Sequence, residues 1–121
     1  MSDIYRENIL DHARRPRNHG VLENATMSRH EANPSCGDVI DVYLVVDAEG
    51  LISRAAFTGS GCVISQAATS MVLEHVIGKK IDEVRAMGQS EVIKLLGVEV
   101  GPMRMNCALL PLRALHKVIV K

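Results

Sequence analysis

Residues 39–58 contain the pattern that most restricts the fold. Residues 39–46 are rich in β-branched side chains and place an apolar row, at the even-numbered positions, on one face of a strand. Asp47-Ala48-Glu49-Gly50 follows, with Asp first and Gly fourth, which favours a type I turn. Residues 51–58 then return as a second strand. This stretch predicts a β-hairpin against which the remaining elements have to pack.

Helical patterns lie on both sides of the hairpin. They are predicted at residues 2–14, from residue 63 to the glycine at 78, and at 81–86 and 90–96. A polar segment at 27–32 predicts an edge strand. The order of helix, strands and helices predicts a single α+β domain over residues 1–121. Its small antiparallel sheet, of about three strands, should carry the helices on one face.

The start of the last helix is predicted from its proline. Pro111 has no N–H group and is tolerated only in the first turn of a helix. The helix should therefore begin near Ala108 and run to about residue 120, after a loop marked by Gly101-Pro102. This places Cys107 at the N-terminus of the helix or just before it.

The composition excludes several classes of function. Lysine plus arginine and aspartate plus glutamate number 14 each, so no net field favours nucleic acid or an anionic membrane. No apolar stretch approaches the length of a membrane span, and the first residues lack a secretory signal pattern. We therefore expect a cytoplasmic protein. Disulfides are rare in the reducing cytoplasm, so the 3 cysteines are better suited to metal binding or reactivity.

Four candidate ligands stand at predicted junctions between elements. Cys36 and Asp38 precede the first hairpin strand. Cys62 joins the second strand to a helix, and Cys107 enters the last helix, where the positive helix end favours a thiolate. Three thiolates and a carboxylate can complete a tetrahedral zinc site or hold the irons of a [2Fe–2S] cluster. Taken singly, each cysteine could equally be a small buried apolar residue, since no Cys-x-x-Cys pair is present.

The segments around these residues resemble a known family. Together with the stretch from Tyr5 to Gly20, they look like the signature segments of the U-type iron–sulfur cluster scaffolds, the IscU, SufU and NifU N-terminal proteins. The resemblance covers essentially the whole chain in the right order. The three signature segments are Asn33-Pro34-Ser35-Cys36-Gly37-Asp38, Gly59-Ser60-Gly61-Cys62-Val63-Ile64-Ser65 and Arg104-Met105-Asn106-Cys107-Ala108-Leu109-Leu110.

The resemblance implies a non-enzymatic scaffold on which a [2Fe–2S] cluster is built and then transferred to apo-proteins. A PLP-dependent cysteine desulfurase would supply sulfur as a persulfide, and other donors would add iron and electrons. Cys107 would accept the persulfide, while Asp38 would exchange with incoming sulfur or iron and keep the site labile. The family also assembles clusters in dimers, so a homodimer is a further expectation. The implied cluster ligands are Cys36, Asp38, Cys62 and Cys107.

Departures from the family pattern leave alternatives open. Asn106 stands where the IscU branch usually has a histidine, and residues 100–104 do not match the chaperone motif of that branch. The spacing between Cys62 and Cys107 is too short for the insertion usual in the SufU branch. One alternative is a zinc-dependent sulfurtransferase that relays persulfide from a cysteine desulfurase. In the scaffold itself, zinc could occupy the site when no cluster is bound. Another is a small binding protein with a structural zinc.

Overall fold

Three strands form an antiparallel sheet at the centre of the fold. A computed structural model describes residues 3–33, 37–97 and 100–119. The strands are Met27–Asn33 (β1), Asp38–Val46 (β2) and Ile52–Ser60 (β3), and they pair in the order β1-β2-β3. The predicted hairpin and the predicted edge strand are both confirmed. β3 extends past its predicted end at residue 58, because Gly59 pairs with Ile40 and lets the two backbones approach closely.

Five helices are present among the described residues, and they pack on one face of the sheet. Along β2, Ile40, Val42 and Leu44 are fully buried beneath them, while the side chains between these residues are half-buried. The second helix packs against β3, and the fifth packs against β1 and β2. The α+β architecture with helices on one face is therefore confirmed. The helices are Asp3–Arg14 (α1), Val63–Val76 (α2), Ile81–Arg85 (α3), Gln89–Leu96 (α4) and Pro102–Ile119 (α5).

The last helix begins earlier than predicted. α5 starts at Pro102, because proline at the first helical position loses no hydrogen bond and already has a helical φ. Cys107 therefore lies in the second turn of α5, and Pro111 is internal. Pro111 cannot donate to the carbonyl of Cys107 one turn back, and an interior proline costs a helix about 3 kcal/mol or more. Packing of α5 against α2 and the sheet has to offset that cost.

A buried histidine fixes α1 to α2. His12 is 5% exposed, and its Nδ1 lies 2.8 Å from the hydroxyl oxygen of Ser70. The same oxygen accepts the backbone N–H of Arg17 at 2.8 Å. Burial, and then the charge of Arg17, lower the pKa of His12. Its environment therefore favours the neutral imidazole, which is hydrogen-bonded to the Ser70 hydroxyl.

The chain after α1 covers the outer edge of β3. The backbone N–H of Gly20 donates to the carbonyl of Phe57 at 2.8 Å, and the N–H of Phe57 donates to Asn18 at 2.9 Å. This pairing leaves β3 without an open edge at that point. Within the described residues, none of the helices combines the length and the apolar composition needed to cross a membrane.

Candidate metal centre

Three of the four predicted ligands meet at one end of the sheet. Asp38, Cys62 and Cys107 each offer an atom, and these atoms lie within 4.8 Å of one another. They come from the start of β2, the N-terminus of α2 and the second turn of α5. The fourth, Cys36, lies outside the described residues. The fold therefore brings two thiols and a carboxylate from distant parts of the chain to a common point.

Asp38 is positioned by both the sheet and the second helix. It pairs with Asn33 at the last position of the β1–β2 ladder and is 2% exposed. Its Oδ1 accepts the backbone N–H of Cys62 at 3.1 Å, and its Oδ2 lies 3.7 Å from the Cys62 sulfur, within reach of the S–H group. The carboxylate is thus directed at the cysteine from a buried position.

Cys62 is the N-cap residue of α2. Its backbone is extended, with φ −73° and ψ 169°, and its sulfur accepts the backbone N–H of Ser65 at 3.5 Å. Sulfur here takes the role that a serine or aspartate oxygen usually plays at a helix start. The predicted placement of Cys62 between strand and helix is confirmed.

Gly61 leaves the space that Asp38 occupies. A Cβ atom at position 61 would lie 2.5 Å from Oδ1 of Asp38 and 2.7 Å from the hydroxyl of Ser65. Both distances are far shorter than van der Waals contact. The glycine is therefore required by the carboxylate and the serine hydroxyl that sit against it.

Cys107 occupies a different environment from the one predicted. Because α5 begins at Pro102, Cys107 is not at the helix N-terminus, and it is only 3% exposed. The side-chain amide nitrogen of Asn33 lies 4.0 Å from its sulfur. The predicted position of Cys107 at the N-terminus of α5 is wrong, and a neighbouring side chain supplies a polar contact to its sulfur.

The two thiols differ in exposure. Cys62 is half-buried, whereas Cys107 is buried and its neighbour Asn106 is exposed at the surface. The carbonyl of Asn106 accepts a hydrogen bond from the guanidinium of Arg113 at 2.9 Å. Asn106 thus presents its side chain at the surface, next to the buried Cys107.

Sequence reasoning missed the contributions of Asn33 and Ser65. Ser65 is fully buried and contacts Cys62 through both its backbone N–H and its hydroxyl, which donates to the Cys62 carbonyl at 3.1 Å. A small polar residue three positions after an N-cap is the available signal for this role. In the sequence, Asn33 stands out only as the first residue of a signature segment, although a polar residue buried at a strand end needs a hydrogen-bond partner.

Comparison with known proteins agrees with this geometry. Residues 4–121 match the NifU-like N terminal domain family. The iron–sulfur cluster assembly scaffold protein IscU of Thermotoga maritima is 44% identical over 81 residues, which cover 67% of this chain and 56% of that protein. The zinc-dependent sulfurtransferase SufU of Bacillus subtilis is 32% identical over 138 aligned positions, which cover 100% of this chain and 92% of that protein.

A solved structure shares the fold. The crystal structure of a putative iron–sulfur cluster assembly scaffold protein for the SUF system, from Fervidobacterium islandicum AW-1, superposes with a TM-score of 0.83 at 31% identity. The match covers 94% of this chain and 95% of that one. The chain therefore belongs to the NifU-like N-terminal domain family of U-type iron–sulfur cluster assembly scaffolds.

Proposed function

We propose that this protein is a scaffold on which a [2Fe–2S] cluster is assembled and then passed to apo-proteins. The observation that carries the proposal is the convergence of Asp38, Cys62 and Cys107 within 4.8 Å. Thiolate and carboxylate donors together suit the iron of an iron–sulfur cluster. Cys36 would complete the set of ligands.

Asp38 supports release of the cluster rather than its storage. A carboxylate is a harder ligand than a thiolate and binds cluster iron less firmly. The hydrogen bond from the Cys62 backbone gives the carboxylate an alternative partner at 3.1 Å. Asp38 can therefore leave the iron when sulfur or an acceptor thiolate arrives. In this role it acts as the exchanging ligand.

Sulfur would arrive as a persulfide from a PLP-dependent cysteine desulfurase, with Cys107 as acceptor. The Cys107 thiolate attacks the terminal sulfur of the donor persulfide, a new S–S bond forms, and the desulfurase cysteine leaves as a thiolate. The transferred sulfur needs an electron pair to become sulfide, so an electron donor and an iron donor are required partners. Because Cys107 is 3% exposed, the site has to open to admit the persulfide.

The second candidate is a zinc-dependent persulfide relay. It is favoured by the match of the whole chain to the Bacillus sulfurtransferase and by a donor set that also suits tetrahedral zinc. In that case zinc would occupy the site, and the protein would pass on sulfur without building a cluster.

Anaerobic reconstitution separates the two candidates. The purified protein is incubated with iron, cysteine and a cysteine desulfurase, and iron, acid-labile sulfide and visible absorption are measured. The scaffold predicts iron and sulfide in equal amounts, lost in Cys62→Ser. Tightly bound zinc that persists and blocks this incorporation would favour the relay. Persulfide loading that survives in Cys107→Ser would refute Cys107 as the acceptor.

A further inference from the structure

Asn33 is a polar residue buried in the sheet beside the candidate metal centre. It ends β1, is 2% exposed and faces the helices. Asparagine is depleted in strands, and its amide brings two N–H donors and an acceptor that need partners when buried. Its presence at this position therefore indicates a role for the side chain.

The register of the sheet sets Asn33 and Asp38 side by side. The two residues are direct partners at the end of the β1–β2 ladder, so their side chains project from the same face. Asp38 reaches the sulfur of Cys62 at 3.7 Å, and the amide nitrogen of Asn33 lies 4.0 Å from the sulfur of Cys107. The cross-strand pair of Asn33 and Asp38 thus places one polar side chain beside each of the two thiols.

The donors offered to the two sulfurs differ in kind. Cys62 accepts a backbone N–H, that of Ser65 at 3.5 Å, which any residue at position 65 other than proline would supply. The amide that faces Cys107 belongs to a side chain. Hydrogen bonds to ligand sulfur withdraw electron density and tune both affinity and electronic energy. The donor beside the Cys107 sulfur therefore depends on which residue stands at position 33.

We propose that Asn33 is a positioning residue for the Cys107 sulfur. Its amide N–H donates to that sulfur, holds it toward Asp38 and Cys62, and lowers the energy of the sulfur lone pairs when metal is bound. The inference rests on the proposed function in that it takes Cys107 as a ligand. The neutral amide donates without adding a second carboxylate beside Asp38.

The backbone of Asn33 has a separate role that substitution would preserve. Its carbonyl accepts the N–H of Gly37 at 2.8 Å and closes the loop between β1 and β2. Any residue at position 33 retains this carbonyl. A variant that changes only the side chain therefore tests the amide and not the turn.

Cobalt(II) binding to the metal-free protein tests the proposal. Bound thiolates give a sulfur-to-cobalt charge-transfer band in the near ultraviolet. In Asn33→Leu we expect the dissociation constant for cobalt to rise about 10–100-fold. We also expect the band of the saturated protein to shift to lower energy, because an unbonded thiolate is the better electron donor. A loss of stability alone would weaken binding but would not move the band.

Glu31→Gln is the matched control. Glu31 lies two positions earlier on the same face of β1, is 7% exposed and pairs with Lys117 at 2.8 Å, away from the thiols. The Glu31→Gln variant should leave the sulfur-to-cobalt band unchanged. If Asn33→Leu does not fold, Asn33→Ala removes the same donor with a smaller side chain and should shift the band in the same direction.

Two results would overturn the inference. A band that stays in place in the folded Asn33 variant shows that the amide does not act on the sulfur, while the proposed function stands. If Cys107→Ser gives the same cobalt spectrum as the unchanged protein, Cys107 is not a ligand, and the proposed function and the inference fall together.

Discussion

The close contact between Gly61 and Asp38 gives the sharpest test of how the site is built. In Gly61→Ala the added Cβ would start 2.5 Å from Oδ1 of Asp38, whereas ordinary contact begins at 3.4 Å. The carboxylate must therefore move away from position 61 by about 0.9 Å, the difference between 3.4 Å and 2.5 Å. Its hydrogen bond from the Cys62 backbone, now 3.1 Å long, cannot survive that displacement.

The expected cost follows from the bond that is lost. A hydrogen bond to a charged group contributes about 1.5–3 kcal/mol. The metal-free variant relieves the overlap by moving Asp38 aside, so the strain appears mainly when metal draws the carboxylate back. Since about 1.4 kcal/mol corresponds to a factor of ten, metal affinity should fall about 10–100-fold.

Cobalt or zinc titration against a competing chelator measures this affinity. Gly88→Ala is the control, because a Cβ at that position meets no heavy atom within 4 Å. In an Asp38→Ala background, Gly61→Ala should have a smaller further effect, because the carboxylate is gone and only the Ser65 hydroxyl, 2.7 Å from the added Cβ, still stands in its way. Equal effects of Gly61→Ala with and without Asp38 would refute the reasoning, as would an unchanged affinity in the single variant.

Three further predictions concern the cluster, the pH dependence and the core. Asp38→Ala should slow cluster loss to an acceptor protein followed by visible absorption, and faster transfer would contradict the lability argument. His12 titrates at its ordinary pKa of 6.5 when unfolded and lower when folded, so the unfolded chain binds more protons and stability falls as pH drops below 6.5. Thermal unfolding of His12→Gln should lose this pH dependence, and an unchanged slope would exclude His12 as its source. Phe57→Ala should lower the free energy of unfolding, measured with urea, by about 3–5 kcal/mol, because the ring is fully buried. A loss of about 1 kcal/mol would indicate that neighbouring side chains move in to fill the cavity.

Much of the sheet could be predicted because its signals are local. The β-branched run and the turn at Asp47–Gly50 specify the hairpin without reference to the rest of the chain. The positions of Asp38 and Cys62 at junctions were predicted correctly, since a strand start and a helix N-cap are also local features. The role of each residue as a metal ligand remains a prediction.

The environment of Cys107 could not be predicted because two prolines compete. Either Pro102 or Pro111 could start α5, and local rules favour neither strongly. Packing of α5 against α2 and the sheet favours a helix that starts at Pro102, even though Pro111 then lies inside it. The contact of Asn33 with Cys107 likewise depends on where α5 crosses β1, which is a tertiary feature.

Asp38, Cys62 and Cys107 come from three separate elements. A bound metal or cluster should therefore raise the free energy of unfolding of the protein. The three atoms meet only when β2, α2 and α5 are packed together, so the unfolded chain has no comparable site. A cargo present at 100 times its dissociation constant then adds about 2.7 kcal/mol to the free energy of unfolding. If the protein acts as proposed, delivery of the cargo removes that contribution, and the emptied protein opens more often to proteases than the loaded one.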